Sequence, residues 1–140
     1  MKRVPMSDVQ QTLFPVFGAR VSAGFPSPAD DYIESRIDLN EHLIQHKEAT
    51  FFLRVRGDSM VQCGILDGDL LVVDRSLPVV VGNIVIAAID GEFTVKQFAF
   101  CEGHPVLKAG NPAYNDILID PEGDLEIWGV VRWAIHKLWP

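Results

Sequence analysis

Nowhere do these 140 residues hold an apolar run near the roughly 20 residues that a bilayer-spanning helix needs. Cysteine is scarce: Cys63 and Cys101 are too few for a disulfide framework, so a reduced, cytoplasmic setting is expected. Positive charge is in deficit, with 12 Lys and Arg against 19 Asp and Glu and a net charge of −7. Broad binding to nucleic acid is therefore not expected, because phosphate contacts need a basic footprint. The start, MKRVPMSDVQQTLFPVFGAR, lacks the apolar core of a secretion signal, since Asp8, Gln10, Gln11 and Arg20 interrupt it. Only Val21-Ser22-Ala23 superficially matches a small-residue cleavage site. Internal repeats and low-complexity tracts are absent too. The expectation is one soluble domain, long enough to bury a sizeable core.

Several familiar chemistries are missing as well. The four histidines, His42, His46, His104 and His136, show no triad signature. Gly57 lies two residues before Ser59 but Val61 lies two after it, so there is no G-x-S-x-G elbow. His42 and His46 stand in H-L-I-Q-H, not H-E-x-x-H, and read as solvated helix histidines. Asp67, Asp69 and Asp74 miss the EF-hand spacing and read as turn and strand-end carboxylates. No metal or cofactor is expected.

What is present divides into an arm, residues 1–36, and a body, residues 37–140. Pro5, Pro15, Pro26 and Pro28 break any long helix in the arm. Its apolar residues (Val4, Leu13, Phe14, Val16, Phe17) keep no sustained period, yet make it too hydrophobic for a free disordered tail. Residues 1–23 carry Lys2, Arg3 and Arg20 against Asp8, so the remainder holds −9. Asp38-Leu39-Asn40-Glu41 resembles a capping box opening a short helix through about Gln45, with Leu39, Leu43 and Ile44 turned inward.

From Thr50 the pattern is β. Strands are expected over 50–55, 69–74, 83–89, 92–98, 105–108, 116–119 and 125–135, with Gly129 a bulge or bend in the last. Between Asp69 and Asp74 the run Leu-Leu-Val-Val is continuously apolar, as in a strand buried on both faces. Asp90-Gly91 between two β-rich runs marks a two-residue hairpin and fixes Lys96 in the returning strand. The fold class is mainly β: packed sheets, one short helix and an extended N-terminal arm.

Ser59 follows a strand in Gly57-Asp58-Ser59-Met60. By itself such a triplet is often only a turn, since Asp and Ser bond their own backbone. A catalytic serine needs a base, and where histidine gives no signature the other known partner is lysine. A strand lysine is most often solvent-facing. To act as a base, Lys96 must lose its proton near neutral pH, and burial among apolar neighbours supplies such a shift.

Gly57-Asp58-Ser59-Met60, then Asp67-Gly-Asp-Leu-Leu-Val-Val-Asp74, then Gly91-Glu-Phe-Thr-Val-Lys96 closely resemble the LexA/UmuD family of self-cleaving serine proteases. The Ser-to-Lys spacing of 37 fits the same pattern. Phe25-Pro-Ser-Pro-Ala-Asp-Asp-Tyr32 and Arg36-Ile-Asp-Leu-Asn40 look like the UmuD branch. Trypsin-like proteases continue Gly-Asp-Ser-Gly, and Gly-Asp-Ser-Leu lipases carry Asp-x-x-His near the C-terminus. Here Met60 follows the serine, and Trp133 lies three before His136.

The resemblance implies curved sheets, Ser59 as nucleophile and Lys96 as general base. It implies an oxyanion hole from the backbone N–H groups of Asp58 and Ser59, with the Asp58 side chain uninvolved, and a scissile bond at Ala23-Gly24. It further implies a homodimer whose cleavage is stimulated by the RecA filament on single-stranded DNA after damage. The trimmed form would bind a UmuC-like Y-family polymerase in error-prone synthesis. A LexA-type repressor would need a DNA-binding unit before the cleavage site, and 23 residues carrying Pro5 and Pro15 are not expected to form one. Direct sequence-specific DNA binding is thus not expected. The alternative from another class is a non-catalytic dimeric β-module that binds a partner through its arm.

Overall fold

The computed structural model describes residues 12–26, 28 and 32–140. The basic pair Lys2 and Arg3, with Val4, Pro5, Asp8, Gln10 and Gln11, lies outside the described residues, as do Ser27, Ala29, Asp30 and Asp31 of the Phe25–Tyr32 segment. The chain divides into two units, Met1–Gln45 and His46–Pro140.

In the first unit, β1 (Phe14–Phe17) pairs antiparallel with β2 (Ile33–Ile37), so the arm's short apolar cluster is a strand of its own. The Gly18 amide donates to the Tyr32 carbonyl at 3.0 Å and continues the ladder. The Tyr32 ring occupies the space where a Cβ on Gly18 would sit, 2.0 Å from its Cζ. Helix α1 (Leu39–Leu43) follows, with the Asp38 carboxylate accepting from the Asn40 amide at 2.9 Å. It stops short of Gln45 because β-branched Ile44 takes an extended backbone conformation (φ −117°, ψ 105°). Leu43 and Ile44 are half-buried, but Leu39 is exposed, against expectation.

The second unit is built on seven strands: β3 (Thr50–Arg54), β4 (Leu70–Asp74), β5 (Ile84–Ile89), β6 (Glu92–Cys101), β7 (His104–Lys108), β8 (Ile117–Leu118) and β9 (Leu125–Ile135). They hydrogen-bond in the order β3-β4-β9-β5-β6-β7-β8, every pair antiparallel. The mainly-β expectation with one short helix is met. The Asp90-Gly91 turn closes β5 on β6 with both residues at positive φ (50° and 81°), as a two-residue hairpin of this twist requires. Glu102-Gly103 repeats that geometry between β6 and β7 and lengthens β6 to Cys101, beyond the expected end at Phe98.

The continuous apolar runs are explained by cover on both faces. In β5, Ile86 joins a core with Met60, Leu71 and Val73, while Val85 and Ala87 join a second core with Leu107 and Val130. Alternate residues of one strand thus fill different cores. Against β5 the register of β9 slips between Ile86 and Ala87, leaving Trp128 without a strand partner there, and it slips again against β4 between Val72 and Val73. The slip against β5 reverses the alternation, so that Ile127 and Val130 both reach the second core.

Gly129 beside this bulge is set by close approach: a Cβ there would lie 2.8 Å from Val73 Cγ1 and 3.1 Å from the Asp74 carbonyl oxygen. Both contacts belong to a buried strand with little room to give. Gly129→Ala is therefore expected to destabilise the fold by about 1–3 kcal/mol, the usual cost of overpacking. Urea unfolding at equilibrium checks this, with the midpoint falling and the slope unchanged.

Candidate active site

Ser59 is presented by a tight turn between β3 and a 3-10 turn over Val61–Cys63. Beyond the end of β3 the chain bends at Gly57, whose φ of 97° favours glycine and whose amide donates to the Asp67 carboxylate at 2.7 Å. On the other side of Ser59, Met60 is buried at 1% exposure in the first core. The serine is thus flanked by a turn held to Asp67 and a side chain fixed in the core, and is itself half-buried.

β6 supplies the second group. Lys96 pairs opposite Val85 in the sheet and is only 7% exposed. Its Nζ donates to Ser59 Oγ at 3.1 Å and to its own strand's Val95 carbonyl at 3.1 Å. Burial pushes its pKa below the ordinary 10.5. The common solvent-facing fate of a strand lysine is therefore not the one found here. An open cleft of about 180 Å³ adjoins Ser59, lined by Leu53, Val55, Phe93, Thr94 and Val95 among others, with Arg54 and Arg56 also on its wall.

Asp58 is held from outside its own turn. Its carboxylate accepts from the Tyr114 hydroxyl at 2.7 Å, and its carbonyl accepts from Asn111 Nδ2 at 3.0 Å. Among the described residues, no acceptor takes the backbone N–H of Asp58 or of Ser59. In the sequence Gly110-Asn-Pro112 is only a turn-like separator between two strands. Its sole signal was turn composition, and nothing local links it to a serine some 50 residues earlier.

Ala23 and Gly24 are exposed in the connection between β1 and β2, where the Gly24 amide donates to Ser22 Oγ at 3.3 Å. His46 lies beyond α1, which corrects its placement on the helix, and it stays exposed as expected while its Nδ1 is 2.5 Å from buried Asp74. His136 stands in the same relation to buried Asp69, at 2.6 Å. The acidic trio serves turns and strand ends: Asp67 holds Gly57, Asp69 accepts from the Leu66 amide, and Asp74 accepts from the Ser76 amide and hydroxyl. Among the described residues no helix is long and apolar enough to cross a membrane.

The Peptidase S24-like family matches residues 15–132, a span that includes Ser59 and Lys96. The chain belongs to this peptidase family. Within it the chain is UmuD-like. Protein SamA of Salmonella typhimurium is 47% identical over 133 residues, covering 95% of this chain and 92% of that protein. Protein ImpA of Escherichia coli is 48% identical over 123 residues, 88% of this chain and 83% of its own. The LexA repressor of Cupriavidus necator is 36% identical over 134 residues, and the match spans 96% of this chain but 61% of the repressor.

Burying an amine has a consequence for stability that is separate from any chemistry. A folded pKa below the unfolded 10.5 means that the ammonium form opposes folding at neutral pH. That penalty fades as pH rises through the folded value and is gone once the unfolded amine has also lost its proton. Lys96→Met is therefore expected to raise the melting temperature at pH 7, with the gain shrinking toward pH 10.5. Thermal melts across that range check this, and an unchanged or lower value at pH 7 would contradict it.

Proposed function

We propose that this protein cleaves its own Ala23-Gly24 bond with Ser59 as nucleophile and Lys96 as general base. The observation that carries the proposal is the 3.1 Å contact between Ser59 Oγ and the Nζ of a lysine buried to 7% exposure. An ammonium offers three donors and no acceptor, whereas a neutral amine has one lone pair and two N–H groups. With the proton lost, one N–H can stay on the Val95 carbonyl while the lone pair accepts from the Ser59 hydroxyl. The lowered pKa favours that state.

As Ser59 Oγ attacks the Ala23 carbonyl carbon, its proton passes to Lys96 Nζ. The negative charge on the tetrahedral oxygen is met by the backbone N–H groups of Asp58 and Ser59. Collapse breaks the C–N bond, and the lysine ammonium returns the proton to the leaving Gly24 amine. Water, deprotonated by the same lysine, then releases Ala23 from its ester with Ser59. The small side chains of Ser22 and Ala23 leave the backbone at the scissile bond accessible. A slow nucleophile suffices because a tethered bond is presented at high effective concentration.

The relatives support a place in the SOS response to DNA damage and its associated mutagenesis. In this reading the RecA filament on single-stranded DNA stimulates cleavage. The trimmed homodimer then serves as accessory subunit to a UmuC-like Y-family polymerase in translesion synthesis in the cytoplasm. Removing the arm changes a binding surface, so the protein acts as a switch.

Intact-mass spectrometry after incubation at mildly alkaline pH tests this. The expected product begins at Gly24, its rate of formation rises with pH as Lys96 deprotonates, and Ser59→Ala and Lys96→Ala each abolish it. Equal cleavage in either variant would point to a contaminating protease. No cleavage even with an activated RecA filament would leave a dimeric β-module that binds through its arm.

A further inference from the structure

The geometry points to Asn111 and Tyr114 as positioning residues that aim the Ser59 backbone N–H at the oxyanion formed during self-cleavage. This rests on the Ser59/Lys96 reading and extends it to a segment 50 residues away. The peptide joining Asp58 to Ser59 is planar and trans, so its C=O and N–H point in opposite directions. Asn111 Nδ2 donates to that carbonyl at 3.0 Å, a shorter hold than the 3.4 Å bond from the Val61 amide of the turn itself. Holding the carbonyl to one side therefore fixes the Ser59 N–H to the other. Tyr114 donates to the Asp58 carboxylate at 2.7 Å and restrains the same residue from its side chain.

The rest of the segment is fitted to the turn on the far side of Ser59. The Gly110 carbonyl accepts from the Gln62 amide at 2.8 Å, and the Gly110 amide donates to Met60 Sδ at 3.3 Å. A Cβ on Gly110 would sit 2.8 Å from Cys63 Sγ and 3.1 Å from Met60 Cα, so the approach depends on glycine. Asn111 is itself shaped by a local turn, its Oδ1 accepting from the Ala113 amide at 3.0 Å. Its two polar ends thus have separate tasks: the oxygen forms the turn, and the nitrogen reaches Asp58. An oxyanion donor is effective only when already oriented, because turning it during the reaction forfeits the gain.

The two tasks can be separated by substitution. Asn111→Asp keeps the turn-forming oxygen and loses the donor. Asn111→Ser keeps a weaker turn-forming oxygen and adds no charge. Tyr114→Phe loses only the hydroxyl. Self-cleavage of the full chain is followed by intact mass across pH, beside thermal melts. Each variant is expected to lower the maximal rate by about ten- to a hundredfold, the scale of a small misplacement at a reacting centre. The melting temperature should stay where it is, and in the uncharged Asn111→Ser and Tyr114→Phe variants so should the pH midpoint, set by the buried Lys96. Asn111→Asp adds a charge that itself moves the midpoint and is read on the maximal rate alone.

Variants that cleave at the parental rate would overturn the inference. So would a midpoint in the uncharged variants moving toward the ordinary lysine value together with the rate, which would mean that packing around Lys96 had loosened. A parent chain that stays intact at every pH would remove the Ser59/Lys96 reading and this one with it. A cleaving parent beside equally fast variants would remove this one alone.

Discussion

The contact between Ser59 and Lys96 depends on keeping an amine out of water. A lysine ammonium is among the side chains least willing to be buried, and β6 places one at 7% exposure opposite Val85 in the interior of the sheet. Among the described residues the surroundings answer this with two hydrogen-bond acceptors and no carboxylate bonded to Nζ. Burial acts unopposed, and the proton is held more weakly than in water. A neighbouring carboxylate would have stabilised the charged form and cancelled that effect.

The sheet is what makes such burial possible. With β9 inserted between β4 and β5, both apolar strands sit in the interior of the sheet, and side chains on both faces are covered. Met60 belongs to the first of these cores. The residue next to the serine is thereby immobilised by packing, which is firmer than an exposed loop could offer. Packing also explains Gly129 and Gly110, two places where backbone must come closer than a Cβ allows.

In the arm, a different economy holds. β1 and β2 form a ribbon whose side chains are largely exposed, and such a two-stranded pair is marginal by itself. The ladder continues through Gly18 and Tyr32, which confines the intervening connection at both ends and leaves Ala23 and Gly24 exposed within it. Exposed connections of this kind are where a backbone is most easily cut.

Much was legible in the sequence because it depends on local patterns. Apolar runs, the Asp90-Gly91 turn and the closing strand at 125–135 follow from propensity and periodicity, and their bounds agree with the observed elements to within a few residues. Ser59 and Lys96 were identifiable as types in a familiar spacing. Local pattern missed that α1 ends early at Ile44 and that Leu39 faces outward, and it failed where long-range contact prevailed: His46 is bonded to Asp74, 28 residues on. The burial of Lys96 belongs to the same class, since a strand lysine has identical local chemistry whether it faces water or a core. So do the holds of Asn111 and Tyr114 on Asp58, across 53 and 56 residues. The sequence by itself determined the strands, the turn and the identity of the candidate groups, Ser59 and Lys96. Only the tertiary structure decided which lysine loses its water and which distant side chains hold the serine's turn, because desolvation and orientation arise from neighbours that the chain supplies by folding.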